Sequence, residues 1–190
     1  MALRKTHPVR FPIPFRNQPR MEWWRKAVLW ALNVRVKTRQ ETREILQQPH
    51  PVLVLGNHQS FVDGIIVALA SPVPLTFAVE HAFARENPWT RRLLGWMERR
   101  GLGTVVPLDQ EHPVSLRTLL RALQRGTPVM VFPEGRISPD GVPLQEKPGA
   151  HWLARKTNAR VIRIEIEGAH ESRWFGKRGR HWRPVIRLLL

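Results

Sequence analysis

His58 and Asp63 stand five positions apart, just past an apolar run, Val52-Leu53-Val54-Leu55, that stops at Gly56. Histidine is the side chain best suited to take a proton near neutral pH. A carboxylate hydrogen-bonded to its far ring nitrogen fixes the tautomer and stabilises the imidazolium as it forms. On a turn that leads into a helix, the two side chains can fold back into that contact. No serine or cysteine nucleophile is then needed if a substrate brings its own hydroxyl. Taken alone, the pair reads more plainly as a loop histidine beside an aspartate that caps a helix. Ser60 reads as a small turn residue, because neither a Gly-x-Ser-x-Gly elbow nor a glycine-rich phosphate loop with Lys-Ser/Thr is present.

A second polar turn, Phe132-Pro133-Glu134-Gly135-Arg136, follows the apolar run 128–131. Pro133 stiffens it, and Gly135 lets the backbone approach a ligand closely. Arg136 adds a fork of donors suited to phosphate. The plainer alternative is an ion-paired turn.

Elements must bring these two turns together. Strands are expected at 52–55, 75–79, 104–107, 128–132, 161–166 and 184–190, from short β-branched runs bounded by turn residues. Helices are expected at 64–70, 88–97, 113–125 and 149–157. The clearest is 113–125, where Leu116, Leu119, Leu120 and Leu123 recur at helical spacing, Pro113 suits the first turn and Gly126 suits the end. Strands alternating with helices predict an α/β fold: a single domain with a largely parallel mixed sheet flanked by helices. In such sheets, sites gather at the carboxyl ends of strands, where both turns lie.

Charge and composition narrow the function classes. The 190-residue chain has no cysteine, which excludes disulfides, thiolate metal sites and a cysteine nucleophile and fits a reducing compartment. Its net charge of +16 is uneven. Residues 1–43 carry 11 basic and 2 acidic side chains, 44–154 carry 10 of each, and 155–190 carry 10 and 3. Basic ends around a neutral middle attract anionic lipid, nucleic acid or an acidic protein, unless the arginines serve solubility alone. Residues 1–20 read as an extended proline-rich arm. Residues 21–43 read as one amphipathic helix in which Trp23, Trp24, Arg25, Lys26 and Trp30 suit a membrane interface; a helix packed on its own domain reads as well. The expected organisation is 1–43, a basic arm and interface helix, followed by a domain over 44–190. No secretory signal and no apolar stretch long enough to span a bilayer is visible, so attachment is expected to be peripheral.

Asn57-His58-x4-Asp63 and Phe132-Pro133-Glu134-Gly135, in this order and separation, resemble the two signature motifs of the glycerolipid (1-acylglycerol-3-phosphate, lysophospholipid) acyltransferases. The resemblance runs from about residue 52 to 169. In the stretches 77–79, 106–109, 132–137 and 166–169 it is strongest to the acyltransferase half of bacterial 2-acylglycerophosphoethanolamine acyltransferases. It implies transfer of a fatty acyl group from acyl-CoA or acyl carrier protein to the free hydroxyl of a lysophospholipid, at the cytoplasmic face of a membrane. It implies His58 as general base and Asp63 as its orienting partner. Asn57, Glu134, Gly135, Arg136 and Lys147, which precedes Gly149-Ala150, would contact the acceptor. No metal and no cofactor beyond the acyl donor is implied. The partners expected are a membrane lipid surface, the lysophospholipid and an acyl carrier protein at the basic C-terminal segment. A 1-acylglycerol-3-phosphate acceptor is the first alternative. A nucleic-acid-binding protein is the alternative from charge alone, and a catalytically silent lipid binder is a third. Three positions depart from the family pattern: Arg136-Ile137 stands for Thr-Arg, Asp109-Gln110 for an arginine, and Arg163 for a proline.

Overall fold

The computed structural model describes residues 22–80, 88–108 and 114–190. The proline-rich arm and the departure at Asp109-Gln110 lie outside the described residues, as does Pro113. In chain order the elements are α1 (Trp23–Ala31), β1 (Val34–Lys37), α2 (Gln40–Gln47), β2 (Val52–Gly56), α3 (Asp63–Ala70), β3 (Leu75–Glu80), α4 (Pro88–Arg99), β4 (Gly103–Leu108), α5 (Val114–Gln124), β5 (Val129–Val131), α6 (Pro148–Thr157), β6 (Arg160–Glu167) and β7 (Ile186–Leu189). The strands form one seven-stranded sheet in the order β1-β7-β6-β2-β5-β3-β4. Strands β6, β2, β5, β3 and β4 run parallel. Strand β7 is antiparallel to β6, and β1 is parallel to β7. The expected α/β class, with a largely parallel mixed sheet flanked by helices, is the fold of the chain.

One expectation is corrected. Residues 21–43 are not a single helix: α1 ends at Ala31, Asn33 takes a left-handed φ of 57°, and Val34–Lys37 enter the sheet beside β7. Val34 and Val36 face the core while Arg35 and Lys37 face out, an alternation of period two that suits a strand. Asparagine tolerates the left-handed conformation that ends a helix, which most residues resist.

Two cores lie on opposite faces of the sheet. Leu29 of α1, Leu46 of α2, Ile66 to Ala70 of α3 and Met97 of α4 share one core. Leu119 and Leu123 of α5 share the other with Ala150 and Leu153 of α6. The residues of β2 alternate between them, Val52 and Val54 toward the first and Leu53 and Leu55 toward the second, which is why the strand reads as a continuous apolar run. Helix α3 is apolar all round because it is buried all round, from Ile66 to Ala70.

This arrangement fixes where a site can form. Strands β2 and β5 are neighbours, yet β2 leads to α3 on one face and β5 leads to α6 on the other. The loops leaving their carboxyl ends therefore diverge and open a crevice, the usual ligand position in an open α/β sheet.

Candidate active site

The first wall of the crevice is the loop from Asn57 to Val62. Gly56 closes β2 where a Cβ would sit 2.8 Å from Met130 Cε and 3.0 Å from Ile164 Cγ1, so a side chain there would have to displace those of its neighbours. The Asn57 side chain continues the sheet: its amide donates to the Ile166 carbonyl at 2.7 Å and its oxygen accepts from Ile166 N–H at 2.8 Å. Asn57 thus aims the loop from β6, a positioning role that its amide fills with backbone contacts.

Asp63, the first residue of α3, is fully buried and organises the loop. Its Oδ2 accepts from Gln59 N–H at 2.6 Å, from Ser60 N–H at 2.7 Å and from the His58 ring at Nδ1 at 2.9 Å. Its Oδ1 accepts from the Ser60 hydroxyl. A carboxylate has no proton to give, so the facing Nδ1 carries one and the lone pair lies on Nε2. Among the described residues nothing hydrogen-bonds Nε2. The His58 ring stacks on Phe132, with centroids 4.3 Å apart and planes 15° apart, and remains about a fifth exposed. The imidazole is held on one face and on one nitrogen, leaving the second nitrogen for chemistry. Ser60, fully buried and bonded to Asp63, is no nucleophile.

The second wall is the segment after β5. Glu134 is buried and ties the walls together: Oε1 accepts from His58 N–H at 3.3 Å, and Oε2 accepts from Leu144 N–H at 3.1 Å. Ser138 N–H donates to the His58 carbonyl at 2.7 Å. Burial pushes the Glu134 carboxyl above its usual range, outweighing the two backbone donors and the nearby His58 that pull it down. The sign follows: a group that binds its proton more tightly when folded stabilises the fold below its ordinary value of 4.5, and that contribution is lost as pH rises through the raised one. In urea titrations across that window, wild-type stability is expected to fall with pH relative to Glu134→Gln. A parallel pH dependence in the two proteins would contradict the burial of the charge.

Gly135 has φ 66°, and a Cβ there would meet Lys147 Cε and Nζ at 2.7 Å. The turn therefore requires glycine, and the Lys147 side chain lies across it. Gly135→Ala is expected to cost about 1–3 kcal/mol through left-handed strain and to displace Lys147; a denaturation midpoint equal to wild type would contradict this. Lys147 N–H donates to the Pro133 carbonyl at 2.8 Å. Arg136 is exposed and has no hydrogen bond or ion pair with another described residue. Arg163, which stands where the family pattern has proline, bonds Glu146 at 2.6 and 3.3 Å, and Glu146 also meets His151 at 2.9 Å. This cluster pins the residue before Lys147 to β6 and α6, a long-range partnership with no local signal in the sequence.

The structure thus brings His58, Asp63, Glu134, Gly135, Arg136 and Lys147 to one end of the sheet. Three contributors were not given roles by the sequence. Phe132 supplies the stacking face. Gln59, buried, donates to the Gly141 carbonyl and meets His170 Nδ1 at 3.1 Å. Ser60 provides the hydroxyl on Asp63. Only the placement of Phe132, at the strand end beside the Pro-Glu-Gly turn, offered a hint. No group of three His, Cys, Asp or Glu side chains suited to a metal occurs among the described residues.

The proposed interface residues divide. Trp24 is part-buried and packs edge-on against Trp96, centroids 5.7 Å apart, with the Arg100 guanidinium 5.4 Å from its ring. Arg25 is half-buried as well. Trp23, Lys26, Ala27, Trp30 and Ala31 form the opposite, exposed face of α1, with Trp23 81% and Trp30 74% exposed. Among the described residues, no helix is long and apolar enough to cross a membrane.

The His58–Asp63 pair and the Glu134 turn thus stand at adjacent strand ends of an α/β domain, an arrangement suited to proton transfer. The family model for acyltransferases matches residues 35–167, and the chain belongs to that family. The chain is 31% identical over 134 residues to a chloroplastic 1-acyl-sn-glycerol-3-phosphate acyltransferase of Arabidopsis thaliana, covering 68% of this chain and 35% of that protein. It is 31% identical over 135 residues to another from Brassica napus, covering 68% and 36%. The chain therefore spans about a third of the length of the curated relatives it matches. The crystal structure of the 1-acyl-sn-glycerophosphate acyltransferase of Thermotoga maritima shares the fold, with a TM-score of 0.57 and 24% identity over 87% of this chain and 68% of that one.

Proposed function

We propose that this chain moves a fatty acyl group from a thioester, acyl-CoA or acyl carrier protein, to the free glycerol hydroxyl of a lysophospholipid. The observation that carries this reading is the His58–Asp63 pair at the crevice between β2 and β5, with Nε2 unpartnered among the described residues. Nε2 takes the acceptor hydroxyl proton as the oxygen attacks the thioester carbonyl. Asp63 supports the imidazolium that results. As the tetrahedral intermediate collapses, the C–S bond breaks and the same proton passes from His58 to the leaving thiolate. No covalent acyl-enzyme is required, in keeping with the buried, bonded Ser60.

Glu134 holds the His58 backbone, and Arg136 and Lys147 offer cations beside the Gly135 turn to the acceptor's phosphate. That pair of cations favours a phosphomonoester head group as the second reading, and the names of the two plant relatives agree with it. The exposed face of α1 would rest on lipid with Trp23, Lys26 and Trp30, making attachment peripheral. Residues 1–43 would act as the basic anchor of a domain over 44–190. Acyl-transfer assays with a panel of lysophospholipids, including 1-acylglycerol-3-phosphate and the phosphoethanolamine form, each with acyl-CoA and with acyl carrier protein, test the proposal. Turnover with none of these pairs would sink it. A preference for the phosphomonoester would select the second reading.

A further inference from the structure

Strand β6 runs parallel to β2 and ends at the same edge of the sheet as the His58 loop. Before returning as β7, the chain makes an excursion over residues 172–183 that no step of the proposed reaction uses. The excursion is built on itself. Arg173 N–H donates to the His181 carbonyl at 2.8 Å, His181 N–H to Glu171 at 3.0 Å, and Gly176 N–H to Ser172 at 2.8 Å. A Cβ on Gly176 or Gly179 would lie 2.1 Å from the carbonyl oxygen of His170 or Ser172, so the backbone folds back more closely than side chains allow.

A loop packed this tightly nonetheless presents two tryptophans to solvent, Trp174 and Trp182, each 64% exposed. Their rings meet edge-on at 5.4 Å, and the Arg173 guanidinium lies 4.8 Å from the Trp182 ring. The segment holds five Lys or Arg, all exposed, and no acidic residue. Arg183 joins it to α1: its guanidinium lies 5.1 Å from the Trp30 ring and donates to the carbonyls of Trp30 and Ala31. On the other side, Phe61 N–H, three residues past His58, donates to the Phe175 carbonyl at 3.0 Å.

We propose that the excursion 172–183 is a membrane-docking element which, with the outer face of α1, seats the domain on an anionic bilayer beside the His58 loop. The proposal rests on the reading of the acceptor as a membrane lipid. Tryptophans with an apolar body and a polar N–H sit at the water–lipid boundary, and arginines and lysines beside them are drawn by anionic head groups. An acidic protein partner would also use exposed indoles and arginines; the continuity of this patch with Trp23, Lys26 and Trp30 on α1, made through Arg183, favours the bilayer.

Sedimentation of the full chain with phosphatidylcholine vesicles, with and without phosphatidylglycerol, tests it. Trp174→Ala/Trp182→Ala is expected to weaken binding roughly tenfold through lost apolar contact. Lys177→Gln/Arg178→Gln/Arg180→Gln is expected to weaken binding to anionic vesicles about fivefold per charge at low salt, and far less at high salt. Unchanged affinity in both variants overturns the proposal. So does unchanged vesicle affinity with loss of binding to immobilised acyl carrier protein, which would assign the surface to an acidic protein. If either variant fails to fold, hydrogen exchange of wild-type amides 172–183 decides: protection by anionic vesicles supports the assignment, and none overturns it. Binding is read here without turnover, so a chain inactive on every lysophospholipid would defeat the catalytic reading and leave this result standing.

Discussion

Replacing His58 with alanine is expected to lower kcat for acyl transfer by about 10³-fold, while KM for either substrate moves little. General base catalysis contributes on the order of 10²–10⁴, and the remaining rate would come from holding donor and acceptor together. The fold should survive, because the imidazole is only part-buried and the loop backbone keeps its own bonds to Glu134 and Ser138. A purified, folded variant with turnover within about tenfold of wild type would remove His58 from the proposed base role.

Asp63 gives the second large effect, and two substitutions separate its two jobs. Asp63→Ala leaves three N–H groups, those of Gln59, Ser60 and the His58 ring, without the oxygen that now receives them. Each buried donor left unmade costs about 1–3 kcal/mol, so a loss of several kcal/mol in urea denaturation is expected. Asp63→Asn can place its carbonyl where Oδ2 lies and its amide toward Ser60, whose hydroxyl turns to accept. The loop and the histidine tautomer then persist and only the charge is lost. Stability should fall by no more than about 1 kcal/mol, while kcat falls on the order of 10²–10⁴-fold as the imidazolium loses its counter-charge. Full activity in Asp63→Asn would show that the carboxylate is a structural tie and nothing more.

The readable parts of the sequence were those written locally. Strand β2 is announced by four consecutive apolar residues because both faces of it are buried. Helix α5 is announced by Leu116, Leu119, Leu120 and Leu123, of which Leu119 and Leu123 are fully buried. The His58–Asp63 contact spans less than two helical turns, so spacing alone could suggest it. Strand β1 was missed because Trp, Ala and Val continue an apolar stripe past Asn33, and the left-handed turn there outweighs the stripe. The pairing of Asn57 with Ile166 joins residues 109 apart, and that of Arg163 with Glu146 crosses from a loop to a strand. Neither leaves a trace in periodicity, because the partner is fixed only once the sheet is assembled. The charge at the ends was legible as an amount. Which tryptophans it accompanies at the surface depended on which face of α1 meets α3.

The crevice between β2 and β5 has walls that belong to different layers of the molecule. Asp63 begins α3 and rests on one core, while Lys147 immediately precedes α6, which rests on the other. On the proposed reading, the group that takes the proton and the groups that would meet the acceptor are mounted on separate foundations, coupled across the gap by the Glu134 carboxylate and the Ser138 N–H. Such a division would let the choice of head group be altered on the 135–147 side while the proposed base stays unchanged. If that reading holds, an engineer seeking a new acceptor would randomise the 135–147 side and leave the packing beneath α3 alone.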